Sequence, residues 1–259
     1  MLRTFLKFKV AFACILVLSG LYGLSISAQK RVYVAKYDGI INPVAGEYIA
    51  QVIKKANDDN VTALLIELDT PGGLDESMRD IVKDISNSAT PVVVYVSPAG
   101  ARAASAGVFI TLSAHIAAMA PGTNIGAAHP VALGGGQMDE EMRKKVENDA
   151  AAYIKSIAGK HGRNVEWAED AVRKSVSITE KEAMSLKVID IVAESRDALL
   201  KSIDGREVTT TTGKIKLETV SQSLDIFCKS HGVLIRNNFF LEGYGKRNCK
   251  SFRVVGKDI

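Results

Sequence analysis

The chain has 259 residues, 47% of them hydrophobic and 6% aromatic, enough for one sizeable buried core with a small appendage. Its net charge of +4 is mild for this length, and Lys and Arg are interspersed with Asp and Glu, which argues against a basic nucleic-acid-binding face. The three cysteines fall in no Cys-x-x-Cys pair and the four histidines are scattered, so neither a metal centre nor a cofactor site is expected.

The N-terminus has the layout of a targeting segment. Arg3, Lys7 and Lys9 precede an apolar run over 10–24, and small residues Ser25, Ser27 and Ala28 end it. Residues 1–28 are therefore expected to be a signal peptide, with the mature chain outside the cytoplasm, in the periplasm or at the cell surface. The apolar run is short for an uncleaved membrane anchor, and Cys14 lies in no lipobox context. Cys228 and Cys249 would be free to pair in an oxidising compartment.

From residue 31 the pattern alternates strand and helix. Residues 31–41 begin as an alternating strand and turn at Asp38-Gly39, and Asn42-Pro43 leads into a helix over 45–57. A buried-strand pattern over 61–68 ends in Asp69-Thr70-Pro71-Gly72-Gly73. A helix over 74–86 follows, striped by Met78, Ile81, Val82 and Ile85. The β-branched run 92–96 suits a strand buried on both faces. This rhythm predicts an α/β fold with a mainly parallel sheet and flanking helices.

Two strand ends carry the chemistry. After the run 92–96, small residues dominate as far as Gly107, and Ser105 stands where strand pattern gives way to helix pattern. A serine at such a turn has its hydroxyl near the positive end of the new helix, and small neighbours admit another backbone. Gly72-Gly73 would leave backbone N–H groups uncovered, as an oxyanion hole requires. Taken singly, each motif is also compatible with a plain packing stretch or an ordinary Pro-Gly-Gly turn.

Downstream, residues 115–119 read as a short strand, 131–138 as a Gly-rich loop, and 139–159 as a long helix. Met142, Val146, Ala150, Tyr153, Ile154 and Ile157 form its apolar stripe. Helix 164–173 carries Trp167 as a packing anchor. Thr179 and Glu182 form a capping box for a further helix, and 188–192 reads as a terminal strand. A short helix 198–203 precedes a hairpin centred on Gly213. Residues 225–259 show little periodicity. The domain reading is thus 1–28 signal peptide, 29–203 main domain, 204–224 hairpin extension, and 225–259 a tail, disordered or truncated.

The combination D-T-P-G-G (69–73), G-A-R-A-A-S-A-G (100–107), K-V-x-N-D (145–149) and A-Y-I-K-S-I-A (152–158) resembles the NfeD-type membrane serine proteases, which have the ClpP/crotonase fold. The resemblance spans about residues 31–194. It implies a serine endopeptidase with Ser105 as nucleophile and Lys145 as base, where the residue pattern alone makes Lys145 an ordinary helix-margin lysine. It further implies an oxyanion hole at Gly73 and Ala106, and a groove at Gly72, Gly126, Ala127, Ala128, His129 and Pro130. A hydrophobic segment of a stomatin-like membrane partner is the implied substrate, a homodimer the implied assembly, and the membrane surface the implied setting. Two other readings stand beside it: a non-catalytic docking module on the same fold, and a crotonase-type acyl-thioester enzyme, which export away from cytosolic CoA disfavours.

Overall fold

The computed structural model describes residues 31–131, 139–220, 222–230 and 233–236. The proposed signal peptide, most of the Gly-rich loop and Cys249 lie outside these residues. In chain order the elements are β1 (Arg31–Asp38), α1 (Pro43–Asp58), β2 (Ala63–Asp69), α2 (Asp75–Ser86), β3 (Val92–Val96), β4 (Arg102–Ala104), α3 (Ala106–Ser113), β5 (Ile116–Met119) and β6 (Asn124–Gly126). There follow α4 (Glu140–Lys160), α5 (Val165–Arg173), β7 (Ser177–Thr179), α6 (Glu180–Ser185), β8 (Ile191–Val192), α7 (Arg196–Ile203), β9 (Glu207–Thr210), β10 (Gly213–Lys216), β11 (Ser223–Ser230) and β12 (Val233–Arg236).

The main sheet runs β12-β11-β1-β2-β3-β5-β8, parallel throughout except for the antiparallel β11–β12 pair. Parallel strands need both faces covered, and side-chain alternation shows how this is met. Tyr33, Leu64, Ile66, Val92 and Val94 point into one core with the apolar faces of α1–α5. Val32, Val34, Leu65, Val93 and Tyr95 point into a second core with Leu199, Leu200 and Ile203 of α7. Most helices start where the sequence supplies caps, α2 and α3 excepted. The Asn42 side chain accepts the Ala45 N–H, Asp139 accepts that of Met142, and Thr179–Glu182 form the expected capping box.

Two parts of the sequence reading are corrected. The tail was placed from residue 225, yet β11 pairs in parallel with β1, Val34 opposite Ile226, and closes its open edge. Phe227 is fully buried, edge-on to Tyr33 at 4.8 Å between ring centroids, and its carbonyl accepts the Tyr48 hydroxyl at 3.0 Å. Leu224, Ile226 and Phe227 make too short a run to signal a strand without that neighbour. The apolar stripe of α4 is also shorter than read. Nothing from Glu140 to Asp149 is buried, and packing begins at Ala150 with Ala151, Ile154, Ile157 and Ala158.

A second, three-stranded sheet, β4-β6-β7, was not foreseen, because each strand has only three residues. It stands over the C-terminal ends of β2 and β3, and its β4 leads straight into Ser105.

At the opposite end of β3 and β5 lies a polar cluster. The Arg163 guanidinium, its side chain 2% exposed, donates to the Leu112 carbonyl at 2.6 Å and to Asp190 at 2.7 Å. Asp190 is half-buried, and losing it would leave the buried guanidinium with the Leu112 carbonyl as its partner among the described residues. His115 and His161 sit edge to face beside it, at 6.1 Å between ring centroids. Burial is the main cause that pushes His115 down to about 4 and His161 down to about 3, with Lys160 and Arg163 adding repulsion and Asp190 partly opposing it at His161. Below an ordinary value of about 6.5 the unfolded chain therefore takes up protons that the folded chain refuses. Their contribution to stability is complete above about 6.5 and declines as the pH falls towards 4 and 3. In urea unfolding at pH 7.5 and pH 5, His161→Leu should gain stability relative to wild type at the lower pH; a constant difference would show that the pair does not set the acid sensitivity.

Candidate active site

The site is built where β2 and β4 run out. β1 extends past Asp38 and holds the loop after β2: Gly39 N–H donates to the Asp69 carbonyl at 3.0 Å, Ile41 N–H to Gly72 O at 2.8 Å, and Leu74 N–H to Ile41 O at 2.8 Å. On the other side, Thr70 N–H donates to Arg102 O at 2.8 Å and Ala104 N–H to Thr70 O at 3.1 Å. The loop carrying Gly72-Gly73 is thus stitched to the strand carrying Ser105.

Ser105 occupies φ 51° and ψ −113°, a conformation that L-residues avoid and that costs about 1–3 kcal/mol. The strain turns the chain sharply from β4 into α3 and leaves the side chain half-buried at the helix N-terminus. The same strand–serine–helix elbow presents nucleophiles in other hydrolases. Ser105 N–H is taken by the carbonyls of Gly126 and Ala127, at 3.3 and 3.1 Å. By contrast, no hydrogen bond among the described residues uses the N–H of Gly73 or of Ala106. Gly73 is exposed, and Ala106 begins α3. Ala106 follows Ser105 directly, and Gly73 follows Gly72, which lies against the Ser105 side chain.

Close approach explains the glycines. A Cβ on Gly72, whose φ is +111°, would lie 2.5 Å from Ser105 Cβ and 3.1 Å from its Oγ. One on Gly73 would lie 1.9 Å from Ile41 O, and one on Gly126 would lie 2.3 Å from Val176 O. The segment Gly126–His129 is held from behind: Ala127 N–H donates to Val176 O, Ala128 N–H to Ala171 O, and His129 Nδ1 lies 2.9 Å from Val172 O. Pro130 is half-buried at the end of this segment.

Lys145 stands in solvent, as the residue pattern alone suggested, and not against the serine elbow. Its side chain is 66% exposed on the unpacked first turns of α4, and Nζ pairs with Glu141 at 2.7 Å. Lys144 is equally exposed and pairs with Glu140. No hydrogen bond among the described residues joins Lys145 to Ser105. The structure therefore brings together Ser105, Gly72, Gly73, Ala106 and 126–129, and leaves Lys145 to one side. Sequence reading missed Thr70, which contacts both loops; the signal was its place inside the D-T-P-G-G turn.

Strand order, crossovers and the serine elbow define a ClpP-like α/β fold. ClpP1 of Listeria monocytogenes, at 20% identity, superposes with a TM-score of 0.53 over 64% of this chain and 94% of its own. Within that class the chain belongs to the NfeD family: residues 31–207 match the NfeD1b N-terminal domain. The chain is 44% identical over 182 residues to the membrane-bound protease PH1510 of Pyrococcus horikoshii, covering 70% of this chain and 41% of that protein. It is 30% identical over 164 residues to the membrane protein NfeD1b of Bacillus subtilis, covering 62% of this chain and 36% of that one. The chain thus spans about two-fifths of the length of the curated relatives it matches. Solved structures of the 1510-N membrane-bound stomatin-specific protease are also similar at 37% identity. A lysine-to-alanine mutant bound to a substrate peptide gives a TM-score of 0.74, covering 79% of this chain and 94% of that one; a serine-to-alanine mutant gives 0.72, covering 78% and 99%. No helix among the described residues is long and apolar enough to cross a membrane.

The close approach at Gly72 can be measured. Gly72 and Gly100 both have positive φ, but a Cβ on Gly100 would meet nothing within 4 Å. Gly72→Ala should therefore lose clearly more stability than Gly100→Ala in denaturant unfolding; equal losses would contradict the contact with Ser105.

Proposed function

We propose that this chain carries the peptidase domain of an exported, membrane-associated serine endopeptidase. Its substrates would be hydrophobic segments of stomatin-like membrane partners, and its working form a homodimer. The observation that carries the reading is Ser105 on a strained elbow near two unused backbone donors. The solved serine and lysine mutants of a 37%-identical stomatin-specific protease support it.

In the proposed reaction a neutral Lys145 Nζ takes the Ser105 proton as Oγ bonds to the scissile carbonyl carbon. The carbonyl π pair moves onto oxygen, which accepts hydrogen bonds from Gly73 and Ala106 N–H. Collapse breaks the C–N bond, and Lys145 returns the proton to the leaving amine. Water then attacks the acyl carbon and gives a proton to Lys145; collapse of this second tetrahedral intermediate breaks the C–Oγ bond, and Lys145 returns the proton to Ser105 Oγ as the carboxylic acid leaves. The peptide would lie extended between Gly72-Gly73 and the 126–130 segment.

This requires Lys145 to leave Glu141, and the magnitude permits it. An exposed i,i+4 ion pair is worth about 0.3–0.5 kcal/mol, far less than substrate binding supplies. A hydrophobic peptide in the groove would also remove water from Nζ, which disfavours a charged amine.

One observation favours a second base, His129. If its Nδ1–H donates to Val172 O, Nε2 is left as an acceptor, on the segment whose Ala127 carbonyl already holds Ser105 N–H. Variants separate the readings. With a peptide substrate, Ser105→Ala, Lys145→Ala and Lys145→Arg should be inactive, the last because guanidinium stays charged, while Lys144→Ala and His129→Gln keep most activity. Wild-type activity in Ser105→Ala would end the proposal, and an active Lys145→Ala with a dead His129→Gln would transfer the base to histidine.

A further inference from the structure

We propose that Thr70 is a positioning residue: its buried hydroxyl aims the Gly73 N–H at the oxyanion site. The inference rests on the peptidase reading of Ser105. Thr70 is completely buried, at the first position after β2. Its Oγ1 accepts the Gly72 N–H at 3.0 Å and lies 3.3 Å from Gly72 O, to which it can donate. Gly72 O is also the acceptor for Ile41 N–H at 2.8 Å.

Peptide geometry carries the argument. In a planar trans peptide, C=O and N–H point in opposite directions. The Gly72–Gly73 peptide has its oxygen held inward by Ile41 N–H and by the Thr70 hydroxyl. Its other end, Gly73 N–H, is thereby turned outward, away from Ile41, on an exposed residue. Gly72 has φ +111° and no side chain, so nothing on the residue itself fixes that plane. An oxyanion donor works because it is already oriented when charge develops, and a peptide plane free to rock would lose that advantage.

Thr70 also touches the nucleophile's side of the site. Its backbone forms a parallel bridge with Ala103 in β4, just before Ser105. Its Cγ2 lies where a Cβ on Gly107 would approach to 2.7 Å, against the first turn of α3. One residue therefore sets the loop that carries one donor relative to the elbow that carries the serine and the other donor. Its methyl requires glycine at 107, and its hydroxyl meets both the N–H and the carbonyl of Gly72.

Thr70→Val keeps the shape and methyl packing and removes only the hydroxyl; Thr70→Ser keeps the hydroxyl. On a peptide substrate, Thr70→Val should lower kcat about 10- to 100-fold, short of deleting a donor outright, with KM changed little. Thr70→Ser should recover most of the rate. A peptide aldehyde gives a readout that general loosening would not move. Ser105 Oγ adds to its carbonyl carbon as Lys145 takes the hydroxyl proton, the π pair moves to oxygen, and that oxygen occupies the donor site. Thr70→Val should weaken aldehyde inhibition by the same factor as kcat/KM. Binding of uncleaved peptide, measured in the Ser105→Ala background, should stay unchanged. Wild-type kcat in Thr70→Val, or equal loss in Thr70→Ser, would overturn the role of Thr70 while an inactive Ser105→Ala left the peptidase reading standing. Full activity in Ser105→Ala would remove both.

Discussion

Ser105 and the backbone at Gly72 compete for the same few ångströms of space, and the active end of the molecule is arranged around that contact. A side chain at 72 would enter van der Waals overlap with Ser105 Cβ, so the turn after β2 must be glycine. The serine in turn holds an unfavourable φ because β4, the 126–127 carbonyls and α3 leave the chain no other path. Strain of this kind persists only where surrounding hydrogen bonds over-determine it. Here they come from both sides: Ile41 and Thr70 hold the glycine loop, while Gly126, Ala127 and Thr70 hold the elbow.

The rest of the fold supplies the rigidity behind this contact. β1, β2 and β3 are central in a sheet covered on both faces, so the loops at their C-terminal ends start from fixed points. Clefts outside the carboxyl ends of parallel strands are the usual place for ligands in open α/β sheets. The ion pair of the buried Arg163 with the half-buried Asp190 ties the turn between α4 and α5 to the start of β5 at the far end of the molecule. Across α3 and α4, Phe109 stacks on Tyr153 at 5.9 Å, and Arg79 of α2 lies over the same tyrosine at 4.4 Å. Arg173 reaches back to Glu147 and Asn148 and Arg79 to Asp149, so α4 is held from about residue 147 onward, while the turns before it, with Lys145, stand in solvent.

Much of this was legible in the residues. Long periodic segments declared themselves: the β-branched run at 92–96 is β3 to the residue, and the stripes of Met78 and Ile81 or of Tyr48 and Val52 are buried where helical spacing puts them. The serine turn and the paired glycines were visible as clusters of small residues after buried strands; each alone also fitted plain packing or an ordinary turn, and their combination carried the reading. What stayed hidden has physical causes. Strands of three residues, such as β4 and β6, show no period to read. β11 is defined by the edge of β1, a partner almost two hundred residues away. The exposure of Lys145 depends on where α4 stops packing, and its stripe continues through Met142 and Val146 as though it did not. Thr70 was legible only as one letter of a turn; its two contacts exist only in three dimensions.

The central claim is that Ser105 is an activated nucleophile, and covalent capture tests it most directly. A fluorophosphonate reacts when a serine Oγ displaces fluoride from phosphorus, a step that draws on the same donors as peptide attack. Intact-mass measurement of the labelled chain, followed by peptide mapping, should find one adduct, on Ser105, absent from Ser105→Ala. No adduct, or undiminished labelling of Ser105→Ala, would contradict the account.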